Sequence, residues 1–205
     1  MRRTDYLVIK LGSGRAYVRR DSVSRIRSVE GIIFDCDGVL IDVRGSYNRA
    51  ISKSVAYILG AMTGCILPEG LISDQIIYRF RGTGGFNNDW DTVYGVLMFM
   101  LSGLPREARG RLARIIEKIG SSGSPSKRLI LMRREAEKEA ALRFLDKSFF
   151  SELAGKLKEF TDLLDRTGRR SVDRALAEIH GDDEDFPAFY SLIRGFLHPT
   201  EDVGR

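Results

Sequence analysis

Apolar positions change their period once along this chain, near residue 47. Before that point the apolar windows are short and strand-like. "YLVIKL" (6–11) and "RAYVRR" (15–20) flank a "GSG" turn and predict a β-hairpin. That glycine pair lacks the GK[ST] of a phosphate loop and carries no phosphate-binding expectation. "GIIFDC" (31–36) is a continuous apolar run with β-branched and aromatic residues, the pattern of a strand buried on both faces of a helix-covered parallel sheet.

From Tyr47 the spacing becomes helical. Tyr47, Ile51, Val55, Ile58 and Met62 recur at intervals of three and four and stop at Gly64. "SDQIIYRF" opens on Ser73, a good N-cap. Asn87 or Asn88 caps a further helix whose first turn holds Asp89 and Asp91, favourable at a positive helix end, and Gly103 stops it. The core of that helix, "VYGVLMFMLSGL" (93–104), is too short to span a bilayer and reads as buried. "LPREARGRLARIIEKIG" predicts another amphipathic helix, and "SSGSPS" (121–126) a flexible connector. Charge-laced helices follow over 127–146 and 147–166, then shorter ones over 171–181 and 186–198. The pattern therefore divides the chain into a β-containing head ending in an Asp-Cys-Asp strand (1–46) and a helical region (47–205).

Charge sharpens this division. Of the net +5, residues 1–30 carry all, with eight Lys/Arg (Arg2, Arg3, Lys10, Arg15, Arg19, Arg20, Arg25, Arg27) against Asp5, Asp21 and Glu30. A basic head could meet a polyanion, but no aromatic platform or nucleic-acid motif accompanies it, so a solvated surface is the expectation and nucleic acid is not. Cys36 and Cys65 form no paired framework, and the N-terminus lacks a signal-peptide core. A cytoplasmic protein with no membrane partner is expected.

The chemistry is concentrated in "EGIIFDCDGVLID" (30–42). Alternate side chains of a strand share a face, so Asp35 and Asp37 are expected to project together and Cys36 to pack on the opposite side. Two such carboxylates repel unless one is protonated or a hard cation sits between them, and Mg²⁺ suits that role. Gly38 permits a sharp bend, and Leu40 and Ile41 are expected to anchor it. The plainer alternative is a loop whose aspartates cap backbone amides.

"IIFDCDGVLID" resembles the first motif of the haloacid dehalogenase superfamily, most of whose members are Mg²⁺-dependent phosphatases. "VRGSYNRAI" (43–51) and "GGFNNDWD" (84–91) resemble a phosphoglycolate-phosphatase-like subfamily with a helical cap inserted after the first strand. The resemblance implies a Rossmann-like α/β core with a large, mostly α-helical cap, and hence a helix-dominated, incomplete α/β chain. It implies Asp35 as nucleophile, Asp37 as general acid and base, and Mg²⁺ held by Asp35 and by Asp37 through its backbone carbonyl. It leaves Gly38 and Asp42 as structural parts of the motif. It makes Gly84, Gly85, Asn87 and Asn88 a cap loop over a small phosphorylated metabolite. Read from the residues alone, the glycines are equally a turn, the asparagines caps and Trp90 core. Arg79 and Arg81 could meet an anionic substrate or simply be solvated.

The resemblance also implies three further pieces: a strand ending in Ser/Thr, a lysine, and an acidic motif after a later strand. No apolar run after Met132 supplies the first, and Lys127, Lys147, Lys156 and Lys158 have no distinguishing context. "HGDDEDF" (180–186) follows a polar helix rather than a strand and reads as a helix-terminating acidic loop. His180 and His198 have no metal-ligand grouping. The expectation is therefore the N-terminal part of such an enzyme, inactive or split as this chain, completed by a second chain or a missing C-terminal segment. The alternative is a non-catalytic helical binding or assembly module that retains a relic motif.

Overall fold

A computed structural model describes residues 5–120, 123–139 and 142–197. Arg2 and Arg3 of the basic head, Ser121 and Ser122 of the connector, Ala140 and Ala141 of the helix expected over 127–146, and the tail from His198 lie outside them. The chain divides into two compact units, residues 1–42 and 43–205. The boundary falls at the end of the Asp-Cys-Asp motif, four residues before the change of period.

The first unit holds a two-stranded antiparallel hairpin, β1 (Tyr6–Leu11) and β2 (Gly14–Arg19), in the register Tyr6↔Arg19 to Leu11↔Gly14. Gly12 takes φ +52 at the first position of the two-residue loop, where a tight hairpin turn favours glycine. One helical turn, α1 (Val23–Ile26), follows. The hairpin has no apolar layer of its own to lie on. Val8, Ile9, Leu11 and Tyr17 are all exposed.

Residues 31–36, expected as a strand buried on both faces, form no strand among the described residues and pair with none. Ile32, Ile33 and Phe34 are 70%, 100% and 60% exposed. The physical reason is that such a strand needs parallel neighbours and covering helices. The only sheet among the described residues is the hairpin.

The second unit is all helix: a π-helical turn (Arg44–Asn48), then α2 (Arg49–Thr63), α3 (Asp74–Gly82), α4 (Asp89–Ser102), α5 (Arg106–Ile119), α6 (Pro125–Ala136), α7 (Lys147–Gly155), α8 (Leu157–Asp162), α9 (Arg169–Ile179) and α10 (Phe186–Leu197). Starts and stops follow local chemistry. Gly64 ends α2 at φ +75, Asn88 caps α4, Ser124 caps α6 with Pro125 in its first turn, and Asp146 caps α7. Two helices are shorter than their sequence pattern. The one expected over 127–146 ends at Ala136, and the chain turns so that Leu142 and Leu145 enter the core. The one expected over 147–166 breaks at Lys156, so that α7 and α8 each lay their own face on α4.

Helix α4 is the axis of this unit. Every residue from Thr92 to Ser102 is buried, and α2, α3, α7, α8, α9 and α10 all pack on it. Close approach is built in at Gly95, where an added Cβ would lie 2.7 Å from Phe80 Cε1. No helix among the described residues is long and apolar enough to cross a membrane.

Leu101→Ala is expected to cost about 2–5 kcal/mol of helical-unit stability. Ile33→Ser, at a fully exposed position, should stay within about 0.5 kcal/mol. Denaturant unfolding followed by far-ultraviolet circular dichroism checks both.

Candidate functional site

The Asp-Cys-Asp motif is a closed turn at the end of the first unit. The Cys36 carbonyl accepts from both Leu40 N and Ile41 N at 2.9 Å, and Gly38 N donates back to the Ile41 carbonyl at 2.9 Å. These bonds bring Asp37 and Ile41 side by side as an isolated bridge. Gly38 stands at φ +79, a conformation open to glycine at little cost, so the glycine after the aspartates is required by the turn. Asp35 Oδ1 accepts a hydrogen bond from Cys36 N at 2.9 Å. The pair is thus placed where the plainer alternative also puts it, with one aspartate capping a backbone amide.

Two expectations about this turn differ from the structure. Cys36, expected to pack away from the aspartates, is exposed, because no layer lies behind the segment. Leu40 and Ile41, expected as anchors, are exposed as well, and the turn is held by backbone bonds instead. Asp35 and Asp37 are both solvent-accessible carboxylates. Among the described residues no group of three or more His, Cys, Asp or Glu side chains gathers as a metal site. What Asp35 and Asp37 offer a cation is oxygen, with the exposed Cys36 thiol between them and the remaining positions left to water or to oxygens from a ligand.

The expected cap loop lies in the helical unit between α3 and α4. Gly84 takes φ +81, and Gly85 N donates to Thr83 Oγ1 at 3.3 Å. Gly85 is pressed against the turn before α9. A Cβ on it would fall 2.5 Å from both the Asp165 carbonyl and Gly168 N, and a Cβ on Gly168 would fall 2.6 Å from the Gly85 carbonyl. Glycine is therefore obligatory on both sides of this contact. Phe86 is buried edge-on against Phe80 at 5.0 Å between ring centres. Asn88 caps α4, accepting from Trp90 N at 2.9 Å. Gly84, Gly85 and Asn88 thus have structural work, while Asn87 is exposed and Trp90, read as core in the plainer alternative, is 67% exposed.

The nearby arginines are committed to carboxylates. Arg81 donates to Asn48 Oδ1 at 3.1 Å and to Asp89 at 2.9 Å, and Arg79 pairs with Asp162 at 2.9 Å. The turn at 165–168 is braced similarly. Asp165 accepts from the Thr167 hydroxyl and backbone N–H and from Arg174, which hold its carboxyl down at about 2.

The acidic loop over 180–186 is a clamp between helices. Asp183 pairs with Arg109 and Asp185 with Arg106, tying the α9–α10 connection to α5. The Arg109 guanidinium lowers the Asp183 carboxyl below its ordinary range. His180 stacks on Phe186 at 4.1 Å, and burial, with the Arg109 charge second, lowers its imidazole below its usual value. Arg109, in the helix read from sequence as amphipathic, and Arg128, in the one read as charge-laced, are buried. Their spacing held the signal: Arg109 precedes Leu112 and Ile116 on one stripe, and Arg128 precedes Met132 and Ala136.

Compared with protein-family models, with curated proteins and with solved structures, the chain has no match in any of the three.

Gly85→Ala should destabilise the helical unit by about 1–3 kcal/mol through the Gly168 contact, read as a lowered denaturation midpoint. Because the His180 imidazole is held below its unfolded value of about 6.5, its contribution is complete above that pH and is lost as pH falls below it. His180→Phe should flatten the stability profile in that window. It should leave intact the further loss at lower pH, as Asp183 and Asp165 take up protons.

Proposed function

We propose that this chain carries the nucleophile-bearing first strand and the helical cap of a Mg²⁺-dependent phosphomonoester hydrolase of the haloacid dehalogenase type. In this reading the site is completed by further parallel strands that pair with residues 31–35. The observation that carries the reading is an apolar segment, Ile32 to Phe34, left in solvent and ending in a glycine-bent turn with two accessible aspartates. Three consecutive large apolar side chains outside any core are costly unless another layer covers them, and an unpaired apolar strand is a template for pairing. The exposed apolar positions of the hairpin add to the surface awaiting cover.

In the proposed chemistry, an Asp35 carboxylate oxygen bonds to phosphorus as the ester oxygen departs with a proton from Asp37. Water, deprotonated by Asp37, then attacks phosphorus and releases inorganic phosphate, restoring both aspartates. Mg²⁺, held by oxygens of Asp35 and Asp37, would neutralise charge on the transferring group. Two neighbouring oxygen donors with water and phosphate filling the rest suit that cation. In the helical unit, Asn87 and Trp90 are exposed side chains beside the α3–α4 loop.

The same exposed segment supports a second reading, a non-catalytic module that docks through 31–35 and has no use for metal.

The test is hydrolysis of p-nitrophenyl phosphate with Mg²⁺, by the isolated chain and by the complex isolated with it from its own cells. The isolated chain should be slow or inactive and the complex active. Asp35→Asn should abolish the complex's turnover, and Asp37→Asn should lower it by about 10²–10⁴. Full turnover by the isolated chain, lost in Asp35→Asn, would keep the chemistry and overturn the need for added strands. Turnover by the complex that survives Asp35→Asn, or a complex with neither turnover nor Mg²⁺ binding, would leave the docking module.

A further inference from the structure

Among the described residues of the helical unit, Arg109 and Arg128 are both buried with Nε and Nη1 lacking a hydrogen-bond partner, but only one of them has an anion. Arg109 has a carboxylate partner in Asp183 and lies over Phe186 and Phe189. Arg128, on α6, is only 3% exposed, and its Nε and Nη1 have no hydrogen-bond partner among the described residues. Its guanidinium lies 5.1 Å from the centre of the Phe196 ring and forms no ion pair there. A buried guanidinium without an anion is a costly arrangement, because its attraction to water has been given up with nothing in return.

Arg128 lines a cavity of about 550 Å³ at the meeting of α5, α6 and α10. The size is that of a small-molecule site, and so is the lining of apolar walls with one fixed polar group. Ile116, Ala188, Leu192 and Phe196 supply the apolar surface, and Glu117 stands at the exposed side. Glu117 also lines the neighbouring groove beside Arg109, so the two depressions share a wall.

We propose that this cavity binds a small amphipathic anion, its carboxylate or phosphate headgroup on Arg128 and its apolar tail along Ile116, Leu192 and Phe196. An acceptor-only headgroup against the guanidinium supplies the anion that Arg128 lacks among the described residues. The site is independent of Asp35 and Asp37.

Isothermal titration of the full chain with decanoate, decyl phosphate and uncharged decanol tests this. At least one anion should bind saturably at one per chain, with decanol about tenfold weaker or worse. The tighter anion identifies the headgroup. Arg128→Met should weaken the anion about tenfold or more and bring it to the level of decanol. Gly195→Leu should abolish binding without harming the fold, since its Cβ position is open space and leucine is the better helix former. Circular dichroism verifies folding of each variant. Should Arg128→Met fail to fold, Gly195→Leu and the decanol comparison decide. No saturable binding of either anion at millimolar concentration, decanol binding as tightly as the anions, or undiminished binding in a folded variant would overturn the proposal.

Discussion

Burial of α4 on all sides is the constraint from which the helical unit follows. A helix with one apolar face needs one neighbour, whereas eleven consecutive buried residues need neighbours all round. Six other helices meet that demand. The close approaches are set by what α4 and its flanks lack: no side chain at Gly95, where Phe80 fills the space, and none at Gly103, where Leu153 does. Phe99 and Phe160, with ring centres 4.6 Å apart, and Phe80 against Phe86 fill the wider gaps. Close packing of this kind tolerates neither added nor missing methylenes.

Polar contacts then select one arrangement of helices around that axis. Asp173 on α9 accepts from the hydroxyls of Tyr94 on α4 and Tyr190 on α10, and lies 3.7 Å from Arg194. Burial pushes both tyrosine hydroxyls well above their ordinary range, which keeps them protonated as donors. Arg169 reaches Asp91 at 3.2 Å, and Arg109 reaches Asp183. Apolar burial holds the helices on α4, and these directional bonds fix their rotation, because part-buried partners lose their hydrogen bonds when a helix turns.

Among its described residues the first unit has no such centre. Its hairpin and its Asp-Cys-Asp turn are held by local backbone bonds, and their apolar side chains face water. A two-stranded hairpin by itself is marginal in water. The candidate carboxylates Asp35 and Asp37 therefore sit on the least supported part of the chain, and its well-packed part carries neither of them.

Local signals were legible in the sequence wherever a residue acts on its own backbone. Gly64 ends a helix, Asn88 caps another, Gly38 bends the turn after Asp37, and the "VYGVLMFML" run marks a buried helix. The cap loop was half legible. Its glycines and Asn88 read as turn and cap, but the reason for Gly85 is the Gly168 backbone eighty-three residues away, which no local pattern contains. Residues 31–36 read as a buried strand because composition reports a preference for burial, and burial itself requires neighbours that only other parts of a sheet supply. The sequence by itself determined where most helices lie, the Asn88 cap and the spacing of Asp35 and Asp37, whereas Ser73, expected as a cap, makes no side-chain cap bond. Tertiary structure alone decided that α6 stops at Ala136, that Arg109 finds a carboxylate while Arg128 does not, and that Trp90 faces solvent. Those outcomes depend on which surfaces meet, and one-dimensional spacing holds no information about the partner across a contact.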